Sequence, residues 1–375
     1  MNASATSSPS DLQKKVSAVI FDLDGTLLDS ENVTKNAMKE FLARYGKVLE
    51  DGEDRCVGMT QSESARCTVE YYGLPMTPVQ YTEQLITLCK LGWANPKVLP
   101  GVDRLHRHLQ KHGVPFALAS NSVSANIEAK ISHLPGWKDR FAIILGSDEV
   151  KSGKPSPDIF QEAAKRMGVS DPACCLVIED SGVGVQAARA AAMNVVAVPS
   201  RSEAHRVTAA DTILHSLLEF QPELWGLPPF EDWIDNALPI EHVDLHGIFD
   251  NSVFQEESGG GSSGLIDQIY GSYLGWIRVN EHEPLKVIAD IREDPSCPKT
   301  RVIKVIPLGG SSDSGGFRST QKVQLTLTGY LRRENKKEIT GCDTTITEEE
   351  KMRATAALDL PIFATASHSN QCEGL

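Results

Sequence analysis

The stretch Phe21-Asp22-Leu23-Asp24-Gly25-Thr26-Leu27-Leu28-Asp29 decides the fold. It ends a run of apolar residues, Val16 to Phe21, whose length suits a buried strand or a core helix turn, and Gly25 stops a helix reading. We read a buried strand that delivers two carboxylates. Alternate residues of an extended chain point the same way, so Asp22 and Asp24 face one point beyond the strand's carboxyl end. Two carboxylates that close repel unless a cation or a proton lies between them. A hard divalent ion with oxygen ligands, most simply Mg²⁺, resolves the repulsion for one and leaves the other to shuttle a proton. For Asp-x-Asp-Gly alone, an ordinary turn after a strand is an equal alternative.

Outward from this stretch the chain turns helical. Glu31 to Tyr45, Gln61 to Tyr72 and Pro78 to Cys89 carry apolar residues at helical spacing, and Gly73-Leu74-Pro75 breaks the last two apart. No strand pattern appears before Phe116, so residues 30–97 read as a helical insertion placed directly after the first strand. From Pro100 the elements alternate. Helices are expected over Val102 to His112, Asn126 to His133, Pro157 to Met167 with Ser156 as N-cap, and Val183 to Ala192. Strands are expected over Pro115 to Ala119, Ala142 to Leu145, Leu176 to Ile178 and Val195 to Val198. Such alternation argues for a parallel sheet covered by helices, with ligands at the carboxyl ends of the strands.

Polar residues sit at those ends: Ser120-Asn121-Ser122, then Gly146-Ser147-Asp148-Glu149, then Glu179-Asp180-Ser181. Side chains far apart in sequence therefore converge on one rim with Asp22 and Asp24. The Ser120 hydroxyl can bond a phosphate oxygen, and the amides after it, from Asn121 on, can lie at a helix start where anions bind. Taken alone, a serine after an apolar strand is usually a turn or cap residue. Lys154, between Gly153 and Pro155, can be held in position ahead of a helix; Lys151 is its competitor and ranks second. Adjacent acids such as Glu179 and Asp180 could be no more than a solvated edge.

Together these residues carry a resemblance. Asp22 to Ser30, DLDGTLLDS, resembles the first motif of the haloacid dehalogenase-like hydrolases, mostly Mg²⁺-dependent phosphatases. Ser120, Lys154 and the pair Glu179-Asp180 are similar to its second, third and fourth motifs, in the family's order over residues 16–200. The resemblance implies a Rossmann-like α/β parallel sheet with the helical insertion as a cap that excludes water and chooses the substrate. It implies that Asp22 is the nucleophile and forms an aspartyl-phosphate. Asp24 would be the acid and base, kept protonated by its crowded acidic surroundings. Mg²⁺ would lie on Asp22, the backbone carbonyl of Asp24 and Asp180, with Glu179 a ligand or a support behind it. Ser120, Asn121 and Lys154 would hold the phosphate, and cap residues around Cys56 to Thr60 would meet the leaving group. A core site of this kind fixes the reaction class, not the substrate.

The C-terminal third narrows the substrate. Leu224 to Ile234, LWGLPPFEDWI, with Leu238-Pro239-Ile240, resembles the linker of the plant bifunctional riboflavin kinase/FMN hydrolases. Tyr273-Leu274-Gly275-Trp276, Leu327 to Arg332 and Ala356 to Pro361 resemble pieces of that family's β-barrel kinase domain. FMN is thereby the favoured substrate. Between Leu238 and Gly271 the kinase's Pro-Thr-Ala-Asn string is missing, and Glu256 to Gly264, EESGGGSSG, has the composition of a flexible linker. No counterpart of the kinase's catalytic Glu segment lies between Val287 and Lys322, where Gly309 to Gly316 reads as a loop. Residues 227–264 are therefore read as a linker, and 265–375 as a degenerate riboflavin-kinase-like region, mostly β, that forms a barrel or part of one and is not expected to act as a kinase. That region is either kept for packing or dimerisation or the product of an incorrect gene model. The rival enzyme reading is a sugar-phosphate or nucleotide-monophosphate phosphatase, or a phosphoglucomutase-like transferase. A non-catalytic flavin- or partner-binding module is the alternative from another class.

Composition bounds these readings. A chain of 375 residues with 23% charged and 6% aromatic residues suits a globular protein of two domains, the first over 16–226. Its core would comprise 16–29 and 98–226. The net charge of −13 argues against nucleic acid or anionic membrane as partners, and no apolar run reaches bilayer length. Residues 1–15, Ser-rich and without Arg or an apolar core, read as a disordered tail rather than a signal or transit peptide. The eight cysteines show no C-x-x-C and no regular spacing, which fits a reduced cytoplasmic setting, with a plastid as the alternative.

Overall fold

Ala18–Phe21 buries all four of its side chains, which a strand does only at the centre of a sheet covered on both faces. The computed structural model describes residues 15–50, 61–93, 97–200, 203–256, 265–279, 282–294, 297–308, 320–331 and 346–364. Nearly all of the tail expected over 1–15, the cap residues Cys56 to Thr60 and the glycine-rich runs 257–264 and 309–316 lie outside the described residues. The chain divides into two compact units between Pro229 and Phe230.

In chain order the first unit holds β1 (Ala18–Phe21), α1 (Glu31–Ala43), α2 (Gln61–Tyr72), α3 (Pro78–Trp93) and α4 (Val102–Lys111). It continues with β2 (Phe116–Ala119), α5 (Ser124–Ile131), β3 (Ile143–Leu145), α6 (Asp158–Arg166), β4 (Cys175–Glu179), α7 (Gly182–Ala190), β5 (Asn194–Ala197) and β6 (Thr212–Ile213). The strands form one parallel sheet in the order β3-β2-β1-β4-β5-β6. The winding reverses at β1, so the crevice where ligands bind opens at the carboxyl ends of β1, β2 and β4. Ile20, Ala117, Val177 and Val195 pack against Ile159 and Phe160 of α6 and Val185 and Ala188 of α7. α1 to α3 form the cap, with Phe41, Leu42, Val69, Tyr72 and Tyr81 as its own small core. At the root of the cap, Ala37, Cys89 and Trp93 pack against Ala129 of α5. Helix α6 is capped differently from the expectation: Pro157 is its N-cap, and the Ser156 hydroxyl donates to Asp158 Oδ1 at 2.7 Å.

The second unit is the mostly β barrel that was expected, and it is complete. β7 (Ala237–Asp250), β8 (Val253–Glu256), β9 (Gly271–Val279), β10 (Leu285–Asp294), β11 (Cys297–Pro307) and β12 (Gln321–Leu331) close into an antiparallel barrel in the order β10-β11-β8-β7-β12-β9. The antiparallel pairing of β9 with β10 completes the circuit, which removes free strand edges. β7, β8 and β9 were not read as strands, and β7 and β8 occupy the stretch expected to be linker. Glu241, His242 and His246 punctuate β7 and are exposed, which hides a half-buried strand from any count of apolar residues. α8 (Glu348–Ala357), opened by a Thr347–Glu350 capping box, packs Ala354 and Ala357 in one cluster with Trp276, Ile288 and Phe363.

Candidate active site

β1 hands its polar end directly to the crevice. The Asp22 amide continues the sheet by donating to the Ile178 carbonyl of β4 at 3.0 Å, so the Asp22 side chain is fixed one residue beyond β1. Gly25, with φ of 84°, turns the chain back; a Cβ there would run into the Asp180 carboxylate, so only glycine allows this close approach. Asp180 is held from the same turn, accepting from the Thr26 hydroxyl at 3.1 Å. Asp22 and Asp180 thus follow the ends of two neighbouring strands, β1 and β4.

Lys154 enters from the loop ahead of α6 and is buried. Its ammonium donates to Asp22 Oδ1 at 2.5 Å and to Glu179 Oε1 at 2.6 Å. Its competitor Lys151 is exposed. Burial opposes the Lys154 charge, but Asp22 and Glu179 outweigh it and raise its pKa. Asp22 is pushed up to about 7: burial dominates, Lys154 pulls down, and Glu179 and Asp24 push up. This carboxylate is short of positive charge even with Lys154 beside it. A hard divalent ion would relieve that deficit, and the oxygens expected to hold it, the carboxylates of Asp22 and Asp180 with the Asp24 carbonyl, are donors of the kind it takes.

Glu179 takes the supporting place. Its Oε2 accepts from the Asp180 amide, the Ser181 amide and the Ser181 hydroxyl, each at 2.9 Å, while Oε1 serves Lys154. With both oxygens engaged and the side chain fully buried, Glu179 is the counter-charge that holds Lys154. Gly184 belongs to the same arrangement, since a Cβ there would overlap the Glu179 carboxylate.

Asp24 departs from expectation. Crowding by acids was expected to keep it protonated; its neighbour is instead a lysine. Lys130 of α5 donates to Asp24 Oδ1 at 2.6 Å and Oδ2 at 2.8 Å. Ser30 donates to Oδ1 at 2.5 Å and Ser122 to Oδ2 at 2.9 Å. Burial alone would raise the Asp24 pKa, but the Lys130 charge and these hydrogen bonds outweigh it and lower it. The site therefore sorts its acids, with Asp22 on Lys154 and Asp24 on Lys130.

Ser120, at the end of β2, accepts from the Ser122 amide at 3.0 Å and points its hydroxyl toward Asp24 Oδ2 at 3.5 Å. The side chain of Asn121, whose backbone amide was expected at the phosphate, clasps the Lys154 backbone: Oδ1 accepts from the Lys154 amide at 2.8 Å and Nδ2 donates to the Lys154 carbonyl at 3.1 Å.

Residues 16–192 match the haloacid dehalogenase-like hydrolase family. The whole chain is similar to a bifunctional riboflavin kinase/FMN phosphatase of Arabidopsis thaliana, 39% identical over 368 residues that cover 94% of this chain and 96% of that protein. The chain belongs to the haloacid dehalogenase-like hydrolases. The hydrolase is also 39% identical, over 58% of its length and 97% of the relative's, to a probable pseudouridine-5'-phosphatase of Drosophila melanogaster. Its sheet and cap resemble the crystal structure of CbbY from Rhodobacter sphaeroides in complex with xylulose-(1,5)bisphosphate, with a TM-score of 0.50, 25% identity and coverage of 54% and 96%. As a member of this family it is a phosphatase. The alignment with the plant protein also takes in the barrel, so the C-terminal unit is similar to a kinase barrel.

Sequence reasoning missed Lys130, Ser30 and Thr26, and placed Ser122 on the rim without a role. One signal for Lys130 was present: it shares the inward face of α5 with Ile127 and Ile131, and a lysine on an apolar helix face needs a buried partner.

Proposed function

We propose that this phosphatase hydrolyses a small phosphomonoester through an aspartyl-phosphate on Asp22, with FMN as the substrate, giving riboflavin and phosphate. The observation that carries the chemistry is the sorting of two adjacent acids onto two separate lysines. Lys154 and the Ser120 hydroxyl draw the phosphoryl oxygens toward Asp22, joined by the backbone amide of Asn121. Asp22 then attacks phosphorus through Oδ as the bond to the leaving oxygen breaks. Asp24 Oδ2, on the Ser120 side, hands a proton to the leaving oxygen and later takes one from the water that cleaves the acyl-phosphate. The arriving phosphate brings negative charge beside Asp24, which favours the proton uptake this step needs. Mg²⁺ on Asp22, Asp180 and the Asp24 carbonyl would supply charge neutralisation and in-line orientation. The cap excludes water from the crevice.

FMN is favoured because similarity to the plant FMN phosphatase runs through both units. A nucleoside monophosphate is the second reading, favoured by equal identity to the probable pseudouridine-5'-phosphatase over the first unit alone. Kinase activity is not expected, since no Pro-Thr-Ala-Asn string occurs between Leu238 and Gly271.

The test is phosphate release from FMN, pyrimidine-nucleoside monophosphates, glycerol phosphate and sugar phosphates, with Mg²⁺ and with chelator. Selective, chelator-sensitive release from FMN is the expected result, and preference for another ester overturns the substrate. Asp22→Asn should lower turnover by about 10⁴-fold or more, as loss of a nucleophile does. Activity near that of the unmodified enzyme would overturn the mechanism.

A further inference from the structure

We propose that Lys130 is the residue that positions Asp24 for proton exchange with the leaving group, and that cap helix α3 restrains it through Trp93. The inference rests on the acid and base role given to Asp24 above. Lys130 is buried, and its ammonium has three acceptors: both oxygens of Asp24 and, at 3.0 Å, the Ser122 hydroxyl. Ser122 itself donates to Asp24 Oδ2, so lysine, serine and carboxylate close a ring of hydrogen bonds. On its far side the ammonium lies 4.9 Å from the centre of the Trp93 ring, at the last residue of α3. One side chain therefore joins the core acid to the root of the cap.

The pair is placed for function rather than for stability. A buried ion pair commonly adds little net stability compared with apolar side chains of similar shape. Lys130 already has an apolar seat, since its neighbours Ala129 and Ile131 pack inward. The Asp24 side chain retains 30% exposure while that of Lys130 is 6% exposed, so the buried partner orients the one that faces the crevice. Two hydrogen bonds from one ammonium fix the plane of the carboxylate, and Ser30, at the start of α1, adds a third to Oδ1. Without Lys130 the carboxylate would be held only by hydroxyls, closest those of Ser30 and Ser122, and would lose its one charged partner in this ring.

A positioning role for proton transfer has a signature that general loosening of the fold lacks. An alkoxide needs a proton to depart, whereas p-nitrophenolate leaves without one. The comparison is kcat/KM for p-nitrophenyl phosphate and for the primary alkyl phosphate that the enzyme turns over fastest, in Lys130→Met, Lys130→Arg and Asp24→Asn. We expect Lys130→Met to lose about 100-fold on the alkyl ester and under about tenfold on the aryl ester. Its melting temperature should stay close to that of the unmodified protein, and Lys130→Arg should recover part of the alkyl activity. Equal losses on both esters, or unchanged activity, overturn the inference. Asp24→Asn separates the two readings. If it discriminates between the esters while Lys130→Met does not, only the Lys130 inference fails. If it does not discriminate, the role of Asp24 fails and takes the Lys130 inference with it.

Discussion

His106 shows what a single residue costs inside this core. It lies on α4, fully buried, with its ring stacked on Phe116 at 4.9 Å and edge-on to Phe21, Trp137 and Phe141. Neither ring nitrogen has a hydrogen-bond partner. Burial therefore pushes its pKa down to about 3 from 6.5; Asp103 pulls it up slightly and Arg140 opposes that. The sign follows from proton counting. Between pH 6.5 and about 3 the unfolded chain binds a proton at His106 that the folded protein does not, so stability is complete above pH 6.5 and falls as the pH drops. The shift corresponds to about 5 kcal/mol in full, of which about 2 kcal/mol is lost by pH 5. His106→Phe keeps the aromatic packing and removes the proton. Denaturant midpoints at pH 7 and pH 5 should fall less in that variant than in the unmodified protein. Parallel falls would place the acid sensitivity elsewhere.

The elements divide according to how much of their environment is local. β1 and β4 were legible because their apolar runs end in acids, and a buried strand followed by a carboxylate has few other readings. Helix ends were legible to within a few residues. The charge pairing at the rim was not. Lys130 reaches Asp24 across 106 residues of sequence and Lys154 reaches Asp22 across 132, and no periodicity reports which lysine finds which acid. The same blindness covers the Asn121 side chain, which clasps the end of β2 to the loop before α6 while its backbone amide was what the sequence pointed to. A test of that clasp is a double-mutant cycle. Asn121→Ala removes two half-buried hydrogen bonds and should cost about 1–2 kcal/mol of stability. It should also lower kcat/KM by about tenfold, because it frees the backbone that aims Lys154. In a Lys154→Ala background the same change should have almost no further effect on kcat/KM, whereas additive losses would mean that Asn121 acts on the substrate by itself.

At the scale of the molecule, each unit has a core of its own. The sheet packs its residues from β1, β2, β4 and β5 against α6 and α7, and the barrel packs β9 and β10 against α8 and Phe363. The barrel's long-range pairing also explains why it read as incomplete: β7 pairs with β12 about 80 residues away, and β7's alternate residues are polar. Closure therefore depends on partners that the sequence does not place side by side. Independent cores argue for independent folding. So does the length of the Drosophila relative, which aligns over 97% of its own length with only 58% of this chain. A fragment ending at Pro229 should then fold, melt in one cooperative transition and retain kcat/KM on the best phosphomonoester within about threefold of the full chain. The check is thermal unfolding and steady-state hydrolysis of the fragment beside the full protein, both with Mg²⁺. A soluble fragment with unchanged kcat but a much higher KM would show that the barrel contributes to substrate binding. An aggregating fragment would show that the phosphatase unit needs the barrel to fold, and that the two cores are not separable.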